Sequence, residues 1–350
     1  MDCSSVAAPV TWHAPRKQTV SNEALLHSLP LLTLYLSERC NSRCVSCDYW
    51  RHGKRDMSLA DVARILPDLK QLGTRVVLVS GGEPLLNPQW AEIAALLRAN
   101  GQRLWLLTAG LALAKHARQI GELFESVTVS LDGSSAASYA AIRGLDAFDA
   151  VCQGIRAAVR AGLPVGLRVT VQRRNFRELI QLTSLAQALG ASSISFLAAD
   201  VGNPHVFGRQ EGGESAADIA LLASDLPGFA NILNQLEREH AAAFASGFIL
   251  ESPAKLRRLH DYFAAVRGLG AFPPTRCNAP EFSAVIEADG GLRPCFFIPG
   301  PHGLDAGLEQ ALNAAPMRSL RADIKAKRRA ECARCVCSKW RDPAEAFLSA

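Results

Sequence analysis

The sequence lacks an apolar segment long enough to cross a membrane. Its longest apolar runs, such as residues 31–36 and 76–79, have the length of β-strands, whereas a membrane span needs about 20 apolar residues. The N-terminus mixes Asp2, His13 and Arg16 with small residues and has no apolar signal core. We therefore expect a cytoplasmic chain with no membrane partner.

Features typical of nucleic-acid-binding proteins and of hydrolases are also missing. The net charge of +5 is modest, and basic residues fall in short scattered clusters at 51–55, 173–174 and 325–329. No aromatic residues interleave these clusters at a spacing that would stack on bases. We interpret the clusters as solvated faces and expect no nucleic-acid partner. No arrangement of His, Asp and Ser indicates hydrolysis.

Cysteine, by contrast, is abundant. The chain has ten cysteines, and because cytosolic thiols stay reduced, we expect metal ligation rather than disulfides. Cys40, Cys44 and Cys47 form a Cys-x3-Cys-x2-Cys segment directly after an apolar run. Three thiolates on one short loop suit an iron–sulfur cluster, and the missing fourth thiolate leaves one iron open for a substrate atom.

Repeated βα units are indicated between residues 31 and 200. Strand-like apolar runs alternate there with stretches of helical period, which is typical of a parallel sheet. We predict an α/β fold, a partial (β/α)6 TIM barrel, with an open doubly wound sheet as the alternative. In both folds, function lies at the carboxyl ends of the strands. The predicted strands are 31–36, 75–80, 103–108, 126–131, 165–171 and 193–198, and the predicted helices include 59–72, 88–100, 147–161, 176–189, 215–245 and 253–267.

The chain is predicted to have four segments. A loop at 203–213 separates the barrel from helical stretches, and a stretch rich in Gly and Pro at 268–274 precedes a small cysteine-bearing module. In that module, residues 282–286 and 292–296 flank Ala-Asp-Gly-Gly and are typical of a β-hairpin. We divide the chain into an N-terminal tail (1–28), a barrel (29–202), a helical connector (203–274) and a C-terminal module of β-hairpin and helix (275–350).

A second motif, Ser80-Gly-Gly-Glu-Pro84, ends the second predicted strand. Its two glycines permit close backbone approach, and Glu83 presents a carboxylate suited to an ammonium group. With the cysteine loop one βα unit earlier, the chain resembles the radical S-adenosylmethionine (SAM) enzymes over about residues 31–200. The resemblance implies that Cys40, Cys44 and Cys47 hold a 4Fe-4S cluster whose open iron binds SAM, and that Gly81, Gly82 and Glu83 contact its methionyl end.

The same resemblance implies the chemistry and further SAM contacts. The reduced cluster passes one electron to the sulfonium, and the resulting 5′-deoxyadenosyl radical abstracts hydrogen from the substrate. Ser130-Leu-Asp-Gly133, followed by Ile142-Arg-Gly144, is similar to members with a SPASM or twitch extension, with Ser130 and Arg168 as SAM contacts. Ser46 stands where many members carry an aromatic residue near adenine, and Tyr49 or Trp50 is the candidate replacement.

The C-terminal cysteines resemble the opening of a SPASM domain. Cys277 is followed by twelve residues to Gly290 and four more to Cys295. Too few cysteines follow for two auxiliary clusters, so the resemblance favours the one-cluster twitch form. Its 4Fe-4S ligands would be Cys277, Cys295, Cys332 and Cys335, with Cys337 as the alternative to the last. A structural zinc site is the other interpretation of these thiols.

The remaining candidates are weaker. Cys152 lies in a predicted helix and is interpreted as a small buried hydrophobe, and Cys3 has no assigned role. His260, Asp261 and Tyr262 form a titratable group on the connector, either a general base or proton outlet or an ordinary helix face.

We expect a radical SAM enzyme that modifies a natural product, peptide or cofactor precursor, with the auxiliary cluster in electron transfer. The substrate is a small molecule or a peptide, and flavodoxin or ferredoxin is the expected type of reducing partner. The alternatives are a radical SAM dehydrogenase or epimerase of a small alcohol or sugar-like molecule, and a non-catalytic iron–sulfur or zinc scaffold or regulator.

Overall fold

A computed structural model of the chain describes residues 25–203, 206–207, 216–301, 303–304, 306–337 and 339–342. The predicted tail up to residue 24, with Cys3, lies outside these residues, as does the end of the C-terminal module from residue 343. Within the described residues, no helix combines the length and the apolar character that crossing a bilayer requires.

One open sheet of eight strands forms the centre of the molecule. Its order is β6-β5-β4-β3-β2-β1-β7-β8, and every neighbouring pair is parallel except β7 and β8. The first six strands thus follow one another around the sheet without the reversal of order that marks a doubly wound fold. The strands are β1 (Leu31–Ser37), β2 (Val76–Gly81), β3 (Arg103–Thr108), β4 (Ser126–Ser130), β5 (Val165–Val171), β6 (Ser193–Ala198), β7 (Ser283–Ile286) and β8 (Leu292–Arg293).

Local sequence explains the helices that alternate with these strands. Ser58 and Asp61 form a capping box at the start of α2, and Val62, Ile65 and Leu69 bury its apolar face. The helices are α1 (Tyr49–His52), α2 (Leu59–Gln71), α3 (Trp90–Ala99), α4 (Leu113–Leu123), α5 (Ala136–Arg143), α6 (Phe148–Arg160), α7 (Leu179–Ala188), α8 (Ala216–Ile219), α9 (Leu226–Glu239), α10 (Ala241–Ala245), α11 (Pro253–Val266), α12 (Leu308–Asn313), α13 (Ala315–Lys325) and α14 (Ala330–Ala333).

The prediction of one helical stretch over 215–245 is wrong in one respect. The structure divides it into α8, a short 3-10 turn at Ala223–Asp225, α9 and α10. Pro227 lies in the first turn of α9, where its missing N–H is harmless, but it cannot continue a preceding helix. Cys152 on α6 is 4% exposed, which confirms its predicted burial.

The predicted hairpin near the C-terminus is present, but its first strand belongs to the main sheet. Strand β7 pairs in parallel with β1, from Leu31 opposite Ser283 to Leu34 opposite Ile286. Only β8 is antiparallel to it. The segment that carries Cys295 therefore follows β8, which only β7 separates from β1, the strand that leads to Cys40.

Candidate metal centres

The loop of Cys40, Cys44 and Cys47 leaves the sheet at the carboxyl end of β1. The hydroxyl of Ser37 donates to Asp56 (2.6 Å), and the Arg39 guanidinium pairs with the same carboxylate. All three cysteines are half-buried. The loop therefore starts from a fixed point at the strand's end.

Helix α5 holds the middle of this loop. The N–H groups of Arg43 and Val45 donate to the carbonyls of Arg143 (2.8 Å) and Ile142 (3.0 Å) in the last turn of α5. The indole Nε1 of Trp50 donates to the Cys44 carbonyl at 3.4 Å. These contacts fix the backbone around the cysteines without using the thiols.

The Gly81-Gly82-Glu83 segment packs directly against the start of the cysteine loop. The N–H of Gly82 donates to the Ser37 carbonyl, and that of Glu83 donates to the Arg39 carbonyl, both at 2.7 Å. A Cβ on Gly82 would lie 2.5 Å from the carbonyl oxygens of residues 38 and 39, and Gly81 has a φ of +130°. The two glycines thus allow this loop to approach the backbone leading to Cys40.

The carboxylate of Glu83 is buried and points towards the end of β3. It accepts hydrogen bonds from the Thr108 hydroxyl (2.8 and 3.0 Å), the Ala109 N–H (2.7 Å) and the Leu85 N–H (3.2 Å). Burial raises the pKa of Glu83, and these donors oppose that rise. Glu83 therefore ties the second motif to β3, and its direct contact with SAM stays a prediction.

Burial affects the protonation of all three thiols. Burial raises the pKa of Cys40 to about 11 and that of Cys47 to about 12, and it also raises the pKa of Cys44. Among the described residues, no three His, Cys, Asp or Glu side chains converge as the ligands of one metal ion do. Thiolates are soft ligands of the kind that hold an iron–sulfur cluster. Loading would have to displace the thiol protons.

A buried ion pair joins the two remaining motifs of the barrel, Ser130-Leu-Asp-Gly133 and Ile142-Arg-Gly144. The Arg143 guanidinium donates to Asp132 at 3.0 Å, and Asp132 also accepts the Thr170 N–H at 2.7 Å. Burial disfavours the charged form of Arg143, but the charges of Cys44 and Asp132 outweigh it and raise its pKa. The sequence marked both motifs, but it did not predict this pairing.

Ser130 and Arg168 are brought together as neighbours. They are opposite each other in the pairing of β4 with β5, and Ser195 on β6 is the next residue in the same row. The Arg168 Nε is buried with no hydrogen-bond partner in the described part of the chain. The positive charge of Arg168 acts on Cys337 and Lys339. Arg168 therefore lies between the barrel and the C-terminal module.

All five cysteines of the C-terminal module line one cavity, together with apolar side chains such as Ile298. The Thr275 hydroxyl donates to the Cys332 carbonyl at 3.1 Å. Asn278 exchanges hydrogen bonds with the backbone of residues 339 and 341. These contacts bring the two ends of the module together around the thiols. The cysteines are Cys277, Cys295, Cys332, Cys335 and Cys337.

The thiols of Cys335 and Cys337 have different surroundings. Burial raises the pKa of both, and the charges that act on Cys335 come first from Cys337 and then from Cys295 and Cys277. Those that act most on Cys337 come from Arg168, Lys339 and Lys255. Both thiols therefore lie near other cysteines, and Cys337 is also beside cations.

Tyr35 and Tyr49 were not predicted to be near both sets of cysteines. Their rings contact edge to face, with centroids 6.2 Å apart. Burial raises the pKa of Tyr35, and Cys47 and Cys295 are both among the charges that act on it. Alternation along β1 is the signal that would have placed Tyr35 on the inner side of the sheet. Thiols of both candidate metal centres are therefore near enough to Tyr35 for their charges to affect it.

His260, Asp261 and Tyr262 have other contacts. His260 stacks on Phe229 of α9 with ring centroids 6.2 Å apart, and its Nδ1 lies 3.3 Å from Asp261. The Tyr262 hydroxyl accepts the Val201 N–H at 3.1 Å. These contacts hold α11 against its neighbours, and a catalytic role for the three residues stays a prediction.

Sequence comparison identifies relatives of the barrel. Residues 34–186 match the family model of the radical SAM superfamily. An Fe-coproporphyrin III synthase of Methanosarcina barkeri is 30% identical over 169 residues, covering 45% of this chain and 41% of that protein. A probable GTP 3′,8-cyclase of Saccharolobus islandicus is 32% identical over 172 residues, covering 47% and 56%. The chain spans about half the length of these curated relatives.

Solved structures extend the likeness beyond the barrel. Streptococcus suis SuiB, solved with bound S-adenosylmethionine, has a TM-score of 0.64 at 14% identity, covering 89% of this chain and 73% of that one. The protein anSMEcpe, solved with AdoMet and the peptide Cp18Cys, has a TM-score of 0.60 at 19% identity, covering 83% and 82%. At these identities the likeness shows a shared fold, and it confirms the predicted partial barrel.

Proposed function

Because this chain belongs to the radical SAM superfamily through its domain at residues 34–186, we propose that it reductively cleaves SAM and abstracts hydrogen from a substrate. One observation carries the proposal. The three-cysteine loop, the Gly81-Gly82-Glu83 segment and the end of α5 converge at the carboxyl ends of neighbouring strands, where parallel barrels place their active sites.

In this proposal Cys40, Cys44 and Cys47 hold a 4Fe-4S cluster. When bound, that cluster supplies the electron that splits SAM into methionine and a 5′-deoxyadenosyl radical. The backbone contacts from α5 and from Gly82 hold the loop in place before loading. The half-buried position of the thiols limits water access to the site.

Ser130 and Arg168 are proposed to bind a carboxylate. Arg168 presents a buried Nε–H that lacks an acceptor within the described residues, and an arginine is well suited to a carboxylate. The carboxylate belongs to SAM or to the substrate. An Arg168→Gln variant distinguishes the two. If Arg168 binds the SAM carboxylate, the variant has a higher KM for SAM; if it binds a substrate carboxylate, the variant has a higher KM for the substrate.

The C-terminal module is proposed to hold one auxiliary 4Fe-4S cluster through Cys277, Cys295, Cys332 and Cys335. Their common cavity supports this set, and Cys337, which lines the same cavity, is the alternative to Cys335 as the fourth ligand. A cluster closed by four thiolates transfers electrons. Loss of the substrate radical's electron to it would give a two-electron oxidation, whereas return of a hydrogen atom would give a rearrangement or epimerisation.

The substrate is proposed to be a peptide, a natural product or a cofactor precursor. The curated relatives are named for a porphyrin synthase and a GTP cyclase, and SuiB was also solved with its precursor peptide SuiA. A small alcohol or sugar-like substrate is the second candidate. The convergence of the three motifs makes a non-catalytic scaffold the weakest alternative. Flavodoxin or ferredoxin is the proposed type of reductant.

Anaerobic reconstitution with iron and sulfide counting tests the proposal. Two clusters predict about eight irons in each chain, and Cys44→Ala should lose about four. Cys152→Ala is the matched control, because Cys152 is buried in α6 and belongs to neither proposed ligand set, and it should lose none. An unchanged iron content in Cys44→Ala would refute the first site. About four irons together with zinc would refute the auxiliary cluster.

A further inference from the structure

The ion pair of Asp132 and Arg143 lies beside the cysteine loop. The two residues are only 2% and 8% exposed. One Asp132 oxygen accepts from the Arg143 Nη1, and the other accepts the backbone N–H of Thr170 on β5. The carboxylate is thus fixed by the sheet, and it fixes the guanidinium in turn.

The helical turn that carries Arg143 also docks the cysteine loop. The carbonyl of Arg143 itself accepts the Arg43 N–H at 2.8 Å. Gly144, which ends α5, has a φ of +72°, and a Cβ there would lie 2.3 Å from the Arg43 carbonyl oxygen. The close contact needs glycine at this position. The backbone that carries Arg143 is therefore in direct contact with the loop that carries Cys44.

The charge of Arg143 acts on all three thiols of the loop. It opposes the effect of burial on the pKa of Cys40, Cys44 and Cys47. Its Nε is buried and has no hydrogen-bond partner among the described residues. The Tyr139 hydroxyl on the same helix also interacts with this guanidinium. A buried N–H without an acceptor is unfavourable, and a group held by the loop would supply the acceptor.

We propose that Arg143 is a positioning residue that donates its Nε–H to the iron–sulfur cluster or its thiolates, oriented by Asp132, and that it raises the cluster's reduction potential. This inference rests on the proposed function of the cysteine loop. Reduction adds one negative charge to the cluster, so a neighbouring cation stabilises the reduced state more than the oxidised state. The pair would thus set how easily the reductant delivers its electron.

A purely structural ion pair gives a different expectation. If the pair only braced the loop, losing either partner would lower iron retention and leave the reduction potential unchanged. If the charges act on the cluster, loss of the cation and loss of the anion must shift the potential in opposite directions.

The test is an EPR-monitored redox titration of the reconstituted full chain, in which this cluster is identified by the change of its signal on adding SAM. Arg143→Gln should disfavour reduction about tenfold, which is about 59 mV for one electron. Arg143→Lys should retain most of the potential, and Asp132→Asn should raise it. Arg118→Gln is the matched control, because that side chain is 92% exposed on α4, and it should change nothing.

An unchanged potential in Arg143→Gln, or shifts of the same sign in Arg143→Gln and Asp132→Asn, would overturn the inference. If Arg143→Gln does not fold, the test rests on Asp132→Asn, and an unchanged reduction potential in that variant would also overturn the inference. A wild-type chain that assembles no SAM-responsive cluster would instead overturn the proposed function, and this inference with it.

Discussion

Replacing Thr108 by valine tests whether Glu83 ties the second motif to strand β3. Valine keeps the shape of threonine but removes the hydroxyl that donates to both Glu83 oxygens and accepts the Gly110 N–H at 3.0 Å. A hydrogen bond to a charged group contributes about 1.5–3 kcal/mol, and a buried N–H left without an acceptor costs about 1–3 kcal/mol. Since the site is buried, we expect Thr108→Val to lower the free energy of unfolding by about 3 kcal/mol.

A double-mutant cycle separates the bond to Glu83 from the other losses. Denaturant unfolding of the cluster-free protein would be measured for the wild type, Thr108→Val, Glu83→Gln and the double variant. We expect a coupling energy of at least about 1 kcal/mol, well above the 0.3–0.5 kcal/mol within which independent sites add. Thr183→Val, combined with Glu83→Gln in a second cycle, is the control. Its buried hydroxyl donates to the Leu179 carbonyl within α7 and not to Glu83, so these two substitutions should be additive. Additivity of Thr108 with Glu83 would refute the role.

Three further predictions concern the thiols and their loop. Gly82→Ala should lower the iron content of the reconstituted chain, because the added Cβ would lie 2.5 Å from two carbonyl oxygens. Gly121→Ala inside α4 is the control and should leave the iron content unchanged. Equal iron contents in the two variants would contradict the prediction. The Cys40 thiol has its pKa raised from 9.0 to about 11, so its folded form binds the proton more tightly and stability is lost as pH rises between these values. Urea unfolding of the cluster-free protein should give a lower free energy of unfolding at pH 10 than at pH 8, and the difference should be smaller in Cys40→Ala. Equal differences in the wild type and Cys40→Ala would refute the prediction. Cys335→Ala should lose about four irons and Cys337→Ala should retain them, and the reverse would make Cys337 the ligand.

The barrel strands were predictable because their signals are local. Each buried strand is an apolar run of the right length between turn residues, and β1 is buried almost throughout, as a parallel strand covered on both faces should be. The Ser58–Asp61 capping box likewise marks the start of α2 from four consecutive residues. Such features need no knowledge of distant neighbours.

The parts that the sequence did not predict depend on long-range contacts. Nothing within 283–286 indicates that this strand pairs with β1, about 250 residues earlier. The pairing of Asp132 with Arg143 and the direction of the Glu83 carboxylate also follow from strand register and helix placement. Motif spacing identified these residues as relevant, but it did not show which atoms they contact.

The most direct test of the proposed function is SAM cleavage by the reconstituted, chemically reduced protein without oxygen. The wild type should form 5′-deoxyadenosine and methionine in equal amounts, and Cys152→Ala should match it. Cys44→Ala should form neither, because it lacks one of the three thiolates at the end of β1. Unchanged 5′-deoxyadenosine formation by Cys44→Ala, or none by a wild type that carries its iron, would contradict the assignment of this loop.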